Sequence, residues 1–104
     1  MATEKSYPYV GIFQKCKYSQ SQKVAKLGKC AQVPSQKYDK LLSAIVQQPV
    51  SVSVASEEFM LYERGVYNSD CSLDLDRGLL LVGYGKDGND KYWLLKNFLG
   101  VAWG

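Results

Sequence analysis

The chain has 104 residues, 46% hydrophobic and 22% charged, which suits one small domain and excludes disordered, collagenous and coiled-coil classes. Its net charge of +3 is uneven: residues 1–40 carry eight lysines against Glu4 and Asp39, whereas residues 41–104 carry five basic and eight acidic groups. The lysines are scattered, without an arginine cluster or a basic helix, so no nucleic-acid partner is expected. No apolar run approaches the roughly 20 residues of a membrane span, so no direct membrane insertion is expected either.

In chain order, residues 3–18 hold Tyr7, Pro8, Tyr9 and Phe13 around a glycine, an irregular segment pinned by aromatics and biased extended by its proline. Val24, Leu27 and Val33 alternate loosely and predict a strand with an irregular middle over residues 23–33. Ser35 then offers a helix N-cap after Pro34, and Tyr38, Leu41, Leu42 and Ile45 recur at helical spacing. This helix, over residues 36–47, should end near Gln47 because Pro49 disfavours helical geometry just before it.

Val50, Val52 and Val54 alternate with period two, as in a strand with one buried face. Glu57 to Tyr62 suits a short helical turn that packs Phe59 and Tyr62 inward, closed by Gly65. Leu79 to Val82 is a continuous apolar run and predicts a strand covered on both faces. The segment from Lys86 to Asp90 has the Asp-Gly and Asn-Asp chemistry of a hairpin, and Tyr92 to Leu95 returns as its partner. Together these elements define a single α+β domain over residues 1–104 without an internal boundary. Its antiparallel, partly barrel-like sheet is expected from residues 50–55, 78–86 and 90–95, with the short helix against it.

Cys16, Cys30 and Cys71 are widely spaced, lack CxxC pairing and have no histidine to join them. No metal site and no cofactor is expected from them. Free thiols are the leading reading, with one disulfide and one free thiol as the alternative. The polar stretch from Met1 to Tyr9 lacks the apolar core of a signal peptide. Taken as it stands, that favours the cytoplasm or an intracellular assembly; a processed fragment would instead be lysosomal or secreted.

Several ordered motifs resemble one family. Tyr7-Pro8-Tyr9 with Cys16, Gln48-Pro49-Val50-Ser51-Val52-Ser53-Val54, Phe59-x-x-Tyr62-x-x-Gly65-Val66-Tyr67 and Cys71 resemble, in order, the second half of papain-like cysteine proteases of the cathepsin L and plant papain branch. Leu75-Asp76-Arg77-Gly78-Leu79-Leu80-Leu81-Val82-Gly83-Tyr84-Gly85 resembles the stretch that presents the catalytic histidine. Tyr92-Trp93-x-x-Lys96-Asn97-Phe98-Leu99-Gly100-x-x-Trp103-Gly104 resembles the stretch carrying the asparagine that orients it.

The resemblance implies a second, right-hand domain and a specificity pocket lined in part by Ser53, Asp76 and Gly78. It also implies that Cys16 and Cys71 match half-cystines whose partners lie elsewhere in the relatives. The departures bear on function. Family chemistry needs a cysteine thiolate, a histidine and an asparagine, yet Arg77 stands at the histidine position. Its guanidinium has five donors and no acceptor. Asn97 matches the orienting asparagine, but Phe98-Leu99 replaces the Ser-Trp that follows it. A local Asp76–Arg77 ion pair and a turn role for Asn97 are the plainer readings of these residues.

From these departures the expectation is a protein that is not an enzyme: an inactive pseudoprotease domain with no catalytic residue, serving as a structural or protein-binding subunit. The alternatives are a regulator or inhibitor of an active relative, or one chain of a split protease. One or more protein partners in a stable complex would cover the candidate interface of Leu79, Leu80, Leu81, Val82, Trp93, Phe98, Leu99 and Trp103. Apolar side chains pointing to both faces of one strand need such cover. The competing expectation is that Phe98 and Leu99 fold back over the open face.

Overall fold

The computed structural model describes residues 1–100, 102 and 103, with backbone only at 58 and 60. Of the C-terminal motif, Val101 and Gly104 therefore lie outside the described residues. The chain divides into two compact units, Met1–Gln32 and Val33–Gly104.

The first unit has little apolar burial. Phe13, Tyr9 and Ile12 are exposed, and its regular element is the 3-10 turn Gln20–Gln22. Hydrogen bonds hold it instead. The Tyr9 amide donates to Glu4 Oε1 at 2.8 Å, Lys17 N–H to the Tyr7 hydroxyl at 3.0 Å, and Gln22 Nε2 to the Ser6 carbonyl at 2.8 Å. The strand expected over residues 23–33 does not form. Val24 and Ala25 donate to the Met1 carbonyl, but among the described residues no ladder forms beyond them, and a lone strand leaves its polar backbone unpaired.

The second unit is built on helix α1 (Tyr38–Ile45) and strands β1 (Val50–Val54), β2 (Arg77–Asp87) and β3 (Asp90–Lys96). The strands form an antiparallel sheet in the order β1-β2-β3. The α+β architecture matches expectation, with an open three-stranded sheet in place of a barrel. Ser35 is not the helix cap. Ser35 and Gln36 form a turn in which Gln36 takes a left-handed φ of 56°, so the helix starts two residues later, at Tyr38, from an extended Lys37. Asp39 in the first turn still favours the helix dipole. A 3-10 turn at Glu57–Leu61 stands where the short helical turn is expected.

The sheet is two-faced. Helix α1 packs on β2, and the core beneath it holds Ile45, Leu79 and Leu81, with Leu81 only 1% exposed. The Tyr38 ring meets Trp93 with centroids 5.1 Å apart, and Trp93 meets Tyr84 edge-on at 6.3 Å. Leu80 and Val82 are 39% and 38% exposed. The run from Leu79 to Val82 is therefore covered on one face, not two, because a single short helix spans only one side of the sheet.

The β2–β3 ladder is also irregular. Leu81 pairs Leu95 and Gly83 pairs Leu94, leaving Val82 as an extra residue in a bulge. The bulge rephases the strand, so Tyr84, opposite Trp93, joins Leu81 on the helix side.

The hairpin turns through Gly88 and Asn89, and Gly88 takes a φ of 58° that L side chains disfavour. Gly88→Ala is expected to lower unfolding free energy by about 1–2 kcal/mol, measured by urea denaturation. Gly78→Ala, whose new Cβ meets nothing within 4 Å, should be near neutral.

Candidate functional site

The open face of the sheet is set by cross-strand partners. Ser51, Leu80 and Lys96 form one row across β1, β2 and β3, and Ser53 opposite Gly78 forms the next. Alternation dictates this: the β1 valines turn toward the helix side and its serines to the other. Beyond Lys96 the chain leaves β3, and Asn97 and Phe98 bound the end of the row. Ser51, Gly78, Leu80, Lys96, Asn97 and Phe98 line an open groove of about 450 Å³.

Arg77 opens β2 beside this groove. Its guanidinium lies 5.3 Å from the centroid of the Phe98 ring, a cation–π contact. Phe98 itself is 68% exposed, so it lines the groove and does not fold back as a cover. Asn97 Oδ1 accepts the Phe98 N–H at 2.8 Å, while its Nδ2 is buried with no hydrogen-bond partner. The plain turn reading of Asn97 thus accounts for one end of its amide and leaves the other unsatisfied.

Asp76 does not form the expected ion pair with Arg77 among the described residues. Its carboxylate accepts from the Ser56 N–H at 2.8 Å and from the Ser56 hydroxyl at 3.0 Å, and its own amide donates to Val54 O at 3.1 Å. Ser56 is buried, at 3% exposure. This latch ties the segment after β1 to the residue preceding Arg77. Desolvation opposes the charged carboxylate, but the Ser56 hydroxyl and amide bonds outweigh it, with the Arg77 charge adding a smaller part, and hold Asp76 below its ordinary 3.8.

The sign follows. A lowered folded value contributes stability that is present above about pH 4 and lost as pH falls through the folded value. Asp76→Asn is expected to flatten the stability–pH profile below pH 4 while leaving its shape above pH 5 unchanged, read by thermal unfolding across pH.

The remaining sequence-derived candidates separate. Leu79 and Leu81 are buried under the helix, whereas Leu80, Val82 and Phe98 are exposed and Leu99 is half-buried. Trp93 is engaged with Tyr38 and Tyr84. Trp103 donates its indole N–H to Phe59 O at 2.8 Å and packs on Tyr62 at 5.2 Å. Ser53 is exposed opposite Gly78. Sequence reasoning missed Ser51, Lys96 and Ser56. The Val-Ser alternation that puts Ser53 on the open face also puts Ser51 there, whereas Ser56 carried no local signal. Cys16, Cys30 and Cys71 are free and exposed. Among the described residues no group of acidic, cysteine or histidine side chains is arranged to hold a metal ion.

The papain family cysteine protease pattern matches residues 1–104, and the chain belongs to that family. The senescence-specific cysteine protease SAG39 of Oryza sativa subsp. indica is 44% identical over all of this chain, which covers 31% of its length. Digestive procathepsin L 3 of Tenebrio molitor larval midgut superimposes with a TM-score of 0.91 at 36% identity, over 99% of this chain and 35% of that one. The bromelain protease of Ananas comosus gives 0.89 at 32% identity, over 99% of this chain and 49% of that one.

These comparisons correct two expectations. The chain spans about a third of the length of curated relatives such as SAG39, and those relatives are named cysteine proteases. The reading of a non-enzyme rested on a missing nucleophile and on Arg77. The first carries no weight in a segment covering 31% of a relative, so that reading does not stand. The cytoplasmic expectation rested on the polar residues 1–9, and the same partial coverage removes its support. No helix among the described residues is long and apolar enough to cross a membrane.

Proposed function

We propose that this chain forms the right-hand wall of the substrate cleft in a papain-family cysteine protease, binding extended polypeptide for peptide-bond hydrolysis. The observation that carries this reading is the open groove between the Ser51–Leu80–Lys96 row and the Asn97–Phe98 segment, on the sheet face the helix leaves bare. Its floor is apolar at Leu80 and its rim offers donors, which suits a peptide backbone with side chains on alternate sides.

The same face, with Leu80, Val82, Leu94 and Phe98 all exposed, takes the N-terminal portion of the papain fold as its protein partner, in the same polypeptide or in a stable complex. That portion supplies the thiol nucleophile. Leaving such side chains in water forgoes roughly 1.5–3 kcal/mol each when fully exposed, and less here where burial is partial.

A chimera tests both halves of the proposal. The chain replaces the matching segment of SAG39, and hydrolysis of a fluorogenic peptide is followed with and without a thiol-directed inhibitor. Thiol-dependent turnover above the buffer blank supports the reading. A well-folded chimera that binds no peptide and shows no turnover overturns it.

A further inference from the structure

Residues 8–16 form a loop with a pinned base and an apolar tip. Lys17 N–H donates to the Tyr7 hydroxyl at 3.0 Å across the base, and Tyr9 N–H donates to Glu4 Oε1 at 2.8 Å on one arm. Between these anchors the chain bends at Gly11 and Ile12. Gly11 takes a φ of 68°, which glycine adopts without steric cost. Tyr9, Val10, Ile12 and Phe13 flank this bend and all four are exposed, Phe13 fully. Single apolar side chains on a surface are ordinary, but four within five consecutive positions call for a partner.

The charge around the loop has one sign. The unit Met1–Gln32 carries six lysines, all exposed, against one acidic residue, Glu4. Glu4 is itself turned to the Tyr9 amide. Lys15 and Lys17 follow Phe13 at every second position, and Lys5 lies next to Glu4 in sequence. An anionic bilayer suits this arrangement: its interface takes aromatic and aliphatic side chains, while lysines bury their stems and keep their charge among the headgroups. We infer that residues 9–13 are a docking tip that enters the interface of an anionic lipid surface, with Lys5, Lys15 and Lys17 held on its phosphate and carboxylate groups. The docking is peripheral and reversible, so it needs no spanning segment. Residues 8–16 belong to no helix or strand, so they offer a protein neither a helix face nor a strand edge to pair with. A lipid surface needs neither.

Flotation of the full chain with lipid vesicles at roughly 0.15 M salt tests it. One vesicle set is phosphatidylcholine alone, and the other carries about three-tenths phosphatidylserine. The chain is expected to partition about tenfold or more strongly onto the anionic set. The double variants Ile12→Ser/Phe13→Ser and Lys15→Gln/Lys17→Gln should each lose about tenfold or more of that partitioning, with folding checked by circular dichroism. A Phe13→Trp variant should show, on anionic vesicles, a blue-shifted emission that the parent chain lacks. Equal partition onto the two sets overturns the proposal, as does binding that persists in the folded Ile12→Ser/Phe13→Ser variant or a Phe13→Trp variant without the shift. A folded SAG39 chimera that fails to float also overturns it, because the tip then belongs to the interface with the rest of the papain fold. Flotation uses no substrate, so a failure of peptide hydrolysis leaves this outcome separately decidable.

Discussion

Leu81→Ala is expected to lower the unfolding free energy by about 3–4 kcal/mol, whereas Leu80→Ala one position earlier should cost under about 1 kcal/mol. The two residues are chemically identical neighbours in β2. Leu81 is 1% exposed beneath α1, and Leu80 is 39% exposed on the open face. Truncating Leu81 loses its transfer free energy and leaves a cavity between the helix and the sheet, where Ile45 and Leu79 are the other buried apolar residues among those described. A core this thin has few side chains able to close the gap. The expected loss is a large share of the roughly 5–15 kcal/mol that holds a whole domain together. Urea denaturation of both variants checks it; comparable losses at the two positions would mean that the open face is covered in solution.

The second large effect concerns position 77. In the SAG39 chimera, Arg77→His is expected to raise kcat/KM for peptide hydrolysis by about 10²–10⁴, the usual worth of a positioned general base. A guanidinium stays protonated and has no lone pair to accept a proton, whereas a neutral imidazole accepts at one nitrogen and donates at the other. The geometry is already in place. The Asp76 latch holds the residue before position 77, and the Arg77–Phe98 contact shows that a side chain there reaches the Asn97–Phe98 segment. Asn97 Oδ1, which accepts the Phe98 N–H, has a second lone pair that can accept from an imidazole N–H. Progress curves with a fluorogenic peptide decide it. An unchanged rate in a folded variant would show that position 77 does not reach the reacting atoms.

Much of this fold is legible in the sequence because its signals are local. The valines of β1, the Gly88-Asn89 turn and the spacing of Tyr38, Leu41, Leu42 and Ile45 each act within a few residues. Each places its element within a few residues of its observed bounds. What escapes depends on partners distant in sequence. Residues 23–33 alternate but have no neighbouring strand to pair with. Ser35 has the right chemistry for a cap, but the turn geometry at Gln36 moves the helix start past it.

The Asp76–Ser56 latch joins residues separated by twenty positions, so an adjacent arginine is the natural but mistaken partner to read from the sequence. A continuous apolar run, finally, looks the same whether both faces of a strand are covered or one. It also conceals a bulge, since four aliphatic residues carry no mark of which one is unpaired.

That bulge sets where the chain tolerates a change of length. With Val82 unpaired, Leu81 already faces Leu95, and Gly83 already faces Leu94. Removing Val82 would turn the ladder regular while every flanking residue kept its partner and its side of the sheet. Removing Leu80 or Tyr84 instead would force one arm of the strand to exchange its buried and open faces. The sheet thus has a single spare residue in its central strand, and a deletion in β2 is cheapest at that point.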